Sequence, residues 1–235
     1  MPDPVWLDEA YGSAIACTDT GIAARNLSIA EQLSVLLFFW LKERGSGVYL
    51  DIAGGSGLLV RLMRDAGYDF RWSDKYASNV FASGFEWSCI DSSRACVAVT
   101  AMEVLEHVPD PIGFVDQALS ESGADTLIFS TSIYEGYPPL VSEWSYYSLQ
   151  TGQHISFFSK RTLQEVGRRL SLNYVGSGDL HVLSRRDELP SPLVFKFAVS
   201  RLRKAFLPFL RLPSRLITDH HAMIRRLEAL GSEPT

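Results

Sequence analysis

The stretch Leu50-Asp51-Ile52-Ala53-Gly54-Gly55-Ser56-Gly57 limits what this chain can fold into more than any other. Val48 to Ile52 has the composition of a strand, the glycines make a tight turn, and Leu58 to Asp65 opens a helix that Gly67 can stop. A strand passing through glycines into a helix brings backbone N–H groups and a close-approach surface to the carboxyl end of a sheet, where α/β folds bind ligands. Two cofactor classes suit that geometry. A dinucleotide site wants Gly-x-Gly-x-x-Gly, but the third glycine position, counted from Gly55, holds Val60. A second predicted strand, Asp69 to Ser73, leads to Asp74, an acid placed to accept from both hydroxyls of a ribose in either class. Asp51 and Glu103 tip the balance by charge. Carboxylates repel a pyrophosphate, whereas S-adenosylmethionine carries a sulfonium and an ammonium and no phosphate. A glycine turn that only reverses the chain is the alternative.

The remaining segments alternate between helix and strand. Asn26 to Glu43 reads as a helix ended by Gly45-Ser46-Gly47, and Pro111 to Leu119 as an amphipathic helix with proline in its first turn. Residues 95 to 101 and Thr126 to Phe129 are short apolar runs of the kind buried on both faces of a sheet. Ser159 is placed to cap a helix over Lys160 to Leu170, and Leu172 to Val175 and Leu180 to Leu183 close the body as an antiparallel pair. This order predicts an α/β, three-layer Rossmann-like fold with a mainly parallel sheet. The chain divides into an N-terminal helical extension or lid at 1–45, a body at 46–188 and a basic amphipathic C-terminal extension at 189–235.

From about Val48 to Arg185 the chain resembles the class I S-adenosylmethionine-dependent methyltransferases. Asp51, Gly55 and Gly57 match that family's first motif, and Asp74 falls on its ribose-binding acid. Ala53 departs from it, standing where most members carry glycine. The resemblance implies a seven-stranded sheet with an antiparallel last pair and a cofactor site of Asp51, Ala53, Gly54, Gly55, Gly57, Asp74, Lys75, Met102 and Glu103.

Ala101-Met102-Glu103-Val104-Leu105-Glu106-His107-Val108-Pro109 follows the third strand. One helical turn over Met102 to Val108 would put Glu103, Glu106 and His107 at i, i+3 and i+4 on a shared face. The segment is similar to the ubiquinone-type O-methyltransferases and their relatives, where a Glu-x-x-Glu-His segment lines the substrate pocket and in some members is linked to a divalent metal. Three roles stay open: His107 or Glu106 as general base, Mg2+ binding by Glu103, Glu106 and His107, or a structural cap. Imidazole is an unusual ligand for so hard an ion. Between Trp144 and Ser159 the chain is similar to the same subgroup's Tyr...Gly-x-His-x-x-Phe-Phe-Ser pattern, which implies that His154 faces the pocket to deprotonate or position the acceptor. The alternative is a loop histidine packed beside Phe157 and Phe158. Trp144 and Tyr146, with Tyr147, offer either a stacking wall for a ring or a lid on the core. In related enzymes an N-terminal helix covers the pocket, which makes Tyr11, Arg25 and Asn26 substrate candidates, with solvated helix ends as the alternative.

Composition narrows the function classes. At a formal charge of -5 over 235 residues, the chain lacks the broad positive surface that phosphate neutralisation needs, so nucleic acid is not expected as a partner. Cys17, Cys89 and Cys96 form no CxxC pair, which gives neither a disulfide framework nor a zinc knuckle. The apolar run Leu33 to Leu41 is broken by Ser34 and falls short of the roughly 20 residues that cross a bilayer. Met1-Pro2-Asp3-Pro4 has no basic or apolar leader character, and the expectation is a cytoplasmic protein.

Charge is unevenly spread, with 14 basic against 24 acidic residues up to Glu188 and 8 against 3 from Leu189 onward. Leu189 to Thr218 holds Lys196, Arg201, Arg203, Lys204, Arg211 and Arg215 with no acid, interleaved with phenylalanines. Docking on the body or in a homodimer, peripheral contact with the inner membrane surface, and phosphate recognition on a nucleotide-linked acceptor are its three readings. The whole implies an S-adenosylmethionine-dependent O-methyltransferase of a small-molecule or glycan hydroxyl, a sugar before a quinol or phenol. A cofactor-binding scaffold without catalysis is the other class, hinted at by Ala53 and the tail.

Overall fold

The computed structural model describes residues 20–41, 45–90, 94–149, 152–210 and 212–231, so Tyr11 and Cys17 lie outside the described residues. Helix α1 (Ile22–Trp40) leads into β1 (Val48–Ile52), α2 (Leu58–Asp65), β2 (Asp69–Ser73), β3 (Cys96–Met102), α3 (Pro111–Ser122) and β4 (Thr126–Ser130). A short pair, β5 (Ile133–Tyr134) and β6 (Phe158–Ser159), precedes α4 (Lys160–Arg169), β7 (Asn173–Ser177) and β8 (Leu180–Ser184). Three helices follow: α5 (Pro192–Val199), α6 (Arg203–Phe206) and α7 (Leu216–Gly231).

The main sheet runs β2-β1-β3-β4-β8-β7, parallel through β4 and antiparallel where β8 joins β4 and β7. It has 6 strands where the sequence led to an expectation of seven. The connection between β2 and β3 folds instead as a loop held by Asn79. Its side chain exchanges hydrogen bonds with the Ala82 backbone at 2.9 and 3.0 Å and donates to Glu86 at 2.7 Å. Such local side-chain bonds satisfy backbone groups that a strand would have needed. What remains of pairing at that edge is a single parallel bridge, Trp72 to Glu86.

Alternation along the strands sorts the core into two layers. Tyr49, Ala98, Ile128 and Val182 face α1, α2 and α5, while Leu50, Val99, Leu127, Phe129 and Leu183 face α3 and α4. By length and composition α1 could cross a membrane, yet Ile29, Leu33, Leu36 and Leu37 are buried in the first of these layers. Phe195 of α5 joins the same layer, so no break in the core marks either edge of the body. Helix starts follow local chemistry: Asp110 accepts from the Gly113 N–H ahead of Pro111 in α3, and Ser159 accepts from Thr162 in α4.

A buried ion cluster fastens the C-terminal extension to the body. The Arg64 guanidinium donates twice to Asp219 of α7, both at 2.7 Å, to Asp69 and to the Phe70 carbonyl at 2.8 Å. Asp69 also meets Arg71, Arg94 and Arg215. Burial alone would raise the Asp69 pKa, but Arg64 and Arg71 with Arg94 outweigh it and hold the carboxyl at about 2. Of the tail's three readings, this contact corresponds to docking on the body. Asp219→Ala, which strips Arg64 of its bidentate partner, is expected to lower the unfolding free energy by about 3 kcal/mol. Asp65→Ala, which removes a half-exposed partner of Arg61, should cost less than about 1 kcal/mol. Urea titrations followed by circular dichroism would compare the two, and equal small losses would show that the cluster does not hold α7.

Candidate active site

After β1 the chain lays β2 on one side, and β3 then pairs on the other. The carboxyl ends of β1 and β3 therefore part around a crevice, the usual ligand position in an open α/β sheet. A cavity of about 940 Å³ opens there. Asp51, Ala53, Gly54, Gly55, Asp74, Lys75, Met102 and Glu103 line it, as do His107, Tyr146 and His154, and Arg25 and Asn26 of α1.

Asp51 is buried and accepts from Thr100 Oγ1 of β3 at 2.6 Å. Burial raises its pKa from 3.8 to about 7; the Thr100 bond opposes the shift and Asp74 adds to it. The turn that follows has little room. A Cβ on Gly54 would lie 2.9 Å from Asp51 Oδ2 and 3.0 Å from the Trp72 ring, so only glycine passes. Ala53 sits at φ 54, in the left-handed region that costs a residue with a Cβ about 1 kcal/mol or more, which explains the preference for glycine there. Gly57 stands between Ser56 and Leu58, which line the cavity. At φ 81 it starts α2, and a Cβ there would lie 2.6 Å from Asn79 Oδ1, so it acts through packing of the turn.

Asp74 accepts from the Gly55 N–H at 2.9 Å and from the Tyr76 and Ala77 N–H groups at 2.7 and 2.8 Å. Its carboxylate is thus fixed beside the turn. Lys75 lies with its ammonium 5.0 Å from the Tyr76 ring centre.

The Glu-x-x-Glu-His segment is not one α-helical turn. Glu103 takes φ 56, and only Leu105–His107 form a 3-10 turn. Glu103 and Glu106 therefore do not share a helix face. Glu103 lines the cavity with its carboxylate accepting from Ser130 Oγ at 2.5 Å, while Glu106 is fully buried and does not line it. A direct catalytic contact by Glu106 is corrected accordingly. The turn is stitched to the later motif, because the Glu106 carbonyl accepts from Ile155 and Ser156 at 2.7 and 3.0 Å and His107 Nδ1 donates to the Gln153 carbonyl at 3.1 Å. His154 Nδ1 donates to the Tyr146 carbonyl at 2.5 Å, and the two imidazoles meet edge to face with centres 4.7 Å apart.

Burial pushes His107 down to about 4, with His154 adding to the effect, and burial lowers His154 as well against the Tyr146 carbonyl and Glu103. Both rings are neutral at pH 7. Glu106 moves the other way, to about 7, through burial and then Glu103. Tyr146 is also raised by burial, with its hydroxyl on Thr131 Oγ1 and the Ser132 N–H, both at 3.1 Å.

Donor atoms of Glu106, His107 and His154 lie within 4.8 Å of one another, and the Tyr146 and Thr131 hydroxyls also act on the Glu106 carboxylate, opposing its raised pKa. The expected metal set of Glu103, Glu106 and His107 is thus corrected: Ser130 holds Glu103, and His154 takes its place. Two imidazoles and one carboxylate do not fit Mg2+, which prefers oxygen; they suit a transition dication such as Zn2+ or Fe2+.

Trp144 does not line the cavity and packs against Tyr134, Tyr146, Tyr147 and Phe157, so of its two readings the structure matches the lid. Gln117 and Glu121 of α3 also face the cavity, joined at 2.7 Å. Their i, i+4 spacing was the available signal, and the sequence reading passed over it. Thr100, Ser130 and Gln153 were missed as well, because each acts across strands or loops distant in sequence.

A methyltransferase-domain family model matches residues 24–176. The chain belongs to that family, of the class I S-adenosylmethionine-dependent type, and its cofactor is S-adenosylmethionine. No curated protein sequence matches it significantly. Among solved structures it is similar to TnmH, at 15% identity and a TM-score of 0.52, covering 78% of this chain and 62% of that one. It is also similar to an O-methyltransferase family 2 protein from Planctomyces limnophilus, at 14% identity and a TM-score of 0.48, covering 76% of this chain and 66% of that one. The chain therefore spans less than two thirds of the length of either.

Burial of Asp51 makes the native state less stable as pH rises. Below pH about 4 the carboxyl is protonated whether the chain is folded or not, and its contribution to stability is intact; as pH rises toward about 7 the unfolded chain gains by ionising and the native state loses stability. Asp51→Asn is expected to raise the unfolding free energy at pH 8 relative to the parent by no more than roughly 4 kcal/mol, and the melting temperature with it, with little difference at pH 4. The same variant should bind S-adenosylhomocysteine at least about tenfold more weakly. Melting curves at both pH values with a calorimetric titration would check both, and equal stability at pH 8 would contradict the burial argument.

Proposed function

We propose that the protein transfers the methyl group of S-adenosylmethionine to a hydroxyl of a small molecule or glycan, with a sugar ahead of a quinol or phenol. The observation that carries this reading is His154. Its Nδ1 is committed to the Tyr146 carbonyl at 2.5 Å and its ring is neutral, which leaves Nε2 as a base on the cavity wall. A hydroxyl nucleophile gains from such a base as its proton leaves.

The bound cofactor supplies an electrophilic methyl group on a cationic sulfur. Asp51 and Glu103 give its cationic portion a carboxylate-lined part of the cavity, and Asp74 stands where a ribose can donate to it. Holding both reactants in line can contribute about 7 to 11 kcal/mol of the barrier reduction. Arg25, Asn26, Gln117, Glu121 and Gln153 add hydrogen-bonding groups to the same cavity, and the Tyr146 ring offers a face for stacking. That polar wall favours a polyhydroxylated acceptor. Ile22, Ile29, Val108 and Phe114 in the same cavity are what a quinol or phenol would use.

A second reading has its own observation. The buried Glu106 carboxylate, with its oxygens close to two imidazoles, is a place for a transition dication that would orient the acceptor. Turnover that survives exhaustive chelation, with no metal by elemental analysis, would remove it.

For the main reading, His154→Ala should lower kcat by about 10²- to 10⁴-fold on whichever acceptor of a sugar and phenol panel the parent methylates. Affinity for S-adenosylhomocysteine should stay within about threefold, whereas Asp74→Ala should weaken it by about tenfold or more. Full turnover by His154→Ala, measured with labelled cofactor, would overturn the base role.

A further inference from the structure

The C-terminal extension has an inner and an outer side. Phe195 and Ala198 of α5 point into the core, and Arg203 turns inward to Glu31 at 3.1 Å and Ser28 at 2.8 Å. Leu193, Lys196 and Phe197, at i, i+3 and i+4, form the opposite stripe of α5. Beyond it Leu202, Phe206 and Phe209 stand out on the surface, Phe209 with 80% of its area exposed. These groups are contiguous: Phe197 meets Phe39 at the end of α1 and Phe206 of α6 edge to face, with ring centres 6.3 and 5.3 Å apart. Lys196, Arg201 and Lys204 are exposed among them, and no carboxylate occurs from Leu189 to Thr218.

We propose that this outer face of α5, α6 and the end of α1 docks on an anionic lipid bilayer. Aromatic and leucine side chains flanked by lysine and arginine suit a bilayer surface, whose acyl boundary takes the rings while its headgroups take the charges. The charge pattern argues against a second copy of this chain as the occupant. A two-fold contact would bring Lys196, Arg201 and Lys204 of one copy toward the same cations of the other. The attraction is local, because the residues up to Glu188 carry 24 acidic against 14 basic side chains and would be repelled by the same membrane. Orientation follows from that asymmetry. Arg25 and Asn26 line the cavity near the opposite end of α1 from Phe39, so the docked face leaves the cavity uncovered. The proposal requires nothing of the acceptor's identity.

The test is sedimentation of the full chain with phosphatidylcholine vesicles, with and without phosphatidylglycerol, at low and high salt. Binding is expected with the anionic vesicles at low salt, falling by about tenfold without phosphatidylglycerol or at high salt. Phe206→Ser with Phe209→Ser, and separately Arg201→Glu with Lys204→Glu, should each reduce the bound fraction by about tenfold. All four positions are exposed, and unchanged melting with unchanged S-adenosylhomocysteine affinity would confirm intact folding. Failure of the parent to sediment with anionic vesicles, or sedimentation indifferent to both double variants, would overturn the proposal. So would a solution dimer that the phenylalanine variant dissociates, since the face would then belong to a second copy.

Discussion

A carboxylate buried at the end of a parallel strand, with the Thr100 hydroxyl as its hydrogen-bond donor, governs the cofactor end of this fold. Because Asp51 is shut away from water it resists ionisation, and a cation placed beside it offsets that cost. The chain passes that carboxylate at a distance only Gly54 tolerates, next to Ala53 in a backbone conformation that alanine adopts unwillingly. Strain and desolvation therefore coincide at one turn. Such coincidence is common where binding rather than stability has shaped a site.

The histidine cluster follows a different logic. Three titratable groups, Glu106, His107 and His154, bring their donor atoms within 4.8 Å of one another, yet burial keeps both imidazoles neutral at neutral pH and opposes ionisation of the carboxyl.

The glycine turn and Asp74 were legible in the sequence because their geometry needs those residue types: glycines where the chain is crowded, an acid after the second strand. His154 was legible through its motif. The left-handed backbone of Glu103 was not, since nothing in a glutamate announces a positive φ, and an apparent i, i+3, i+4 spacing suggested a helix that the Ser130 contacts replace. The sixth strand completes the sheet because Asn79 draws its loop into local bonds, a competition that residue periodicity does not register. The tail's positive charge could be counted, but its anchor could not: it is Asp219, an acid beyond that basic stretch, paired with an arginine 155 positions away.

The missing strand leaves β2 with an outer edge, closed by little more than the Trp72–Glu86 bridge and the Trp72 N–H on the Phe85 carbonyl at 2.9 Å. The loop that supplies this closure is itself held from behind, where Met223 crowds Gly84 and Arg226 donates to the Gly84 carbonyl. An open strand edge is a template for pairing with another chain. The last helix therefore backs a strand edge as well as the ion cluster: without α7 the loop over β2 would keep the Asn79 bonds but lose the support behind its closure.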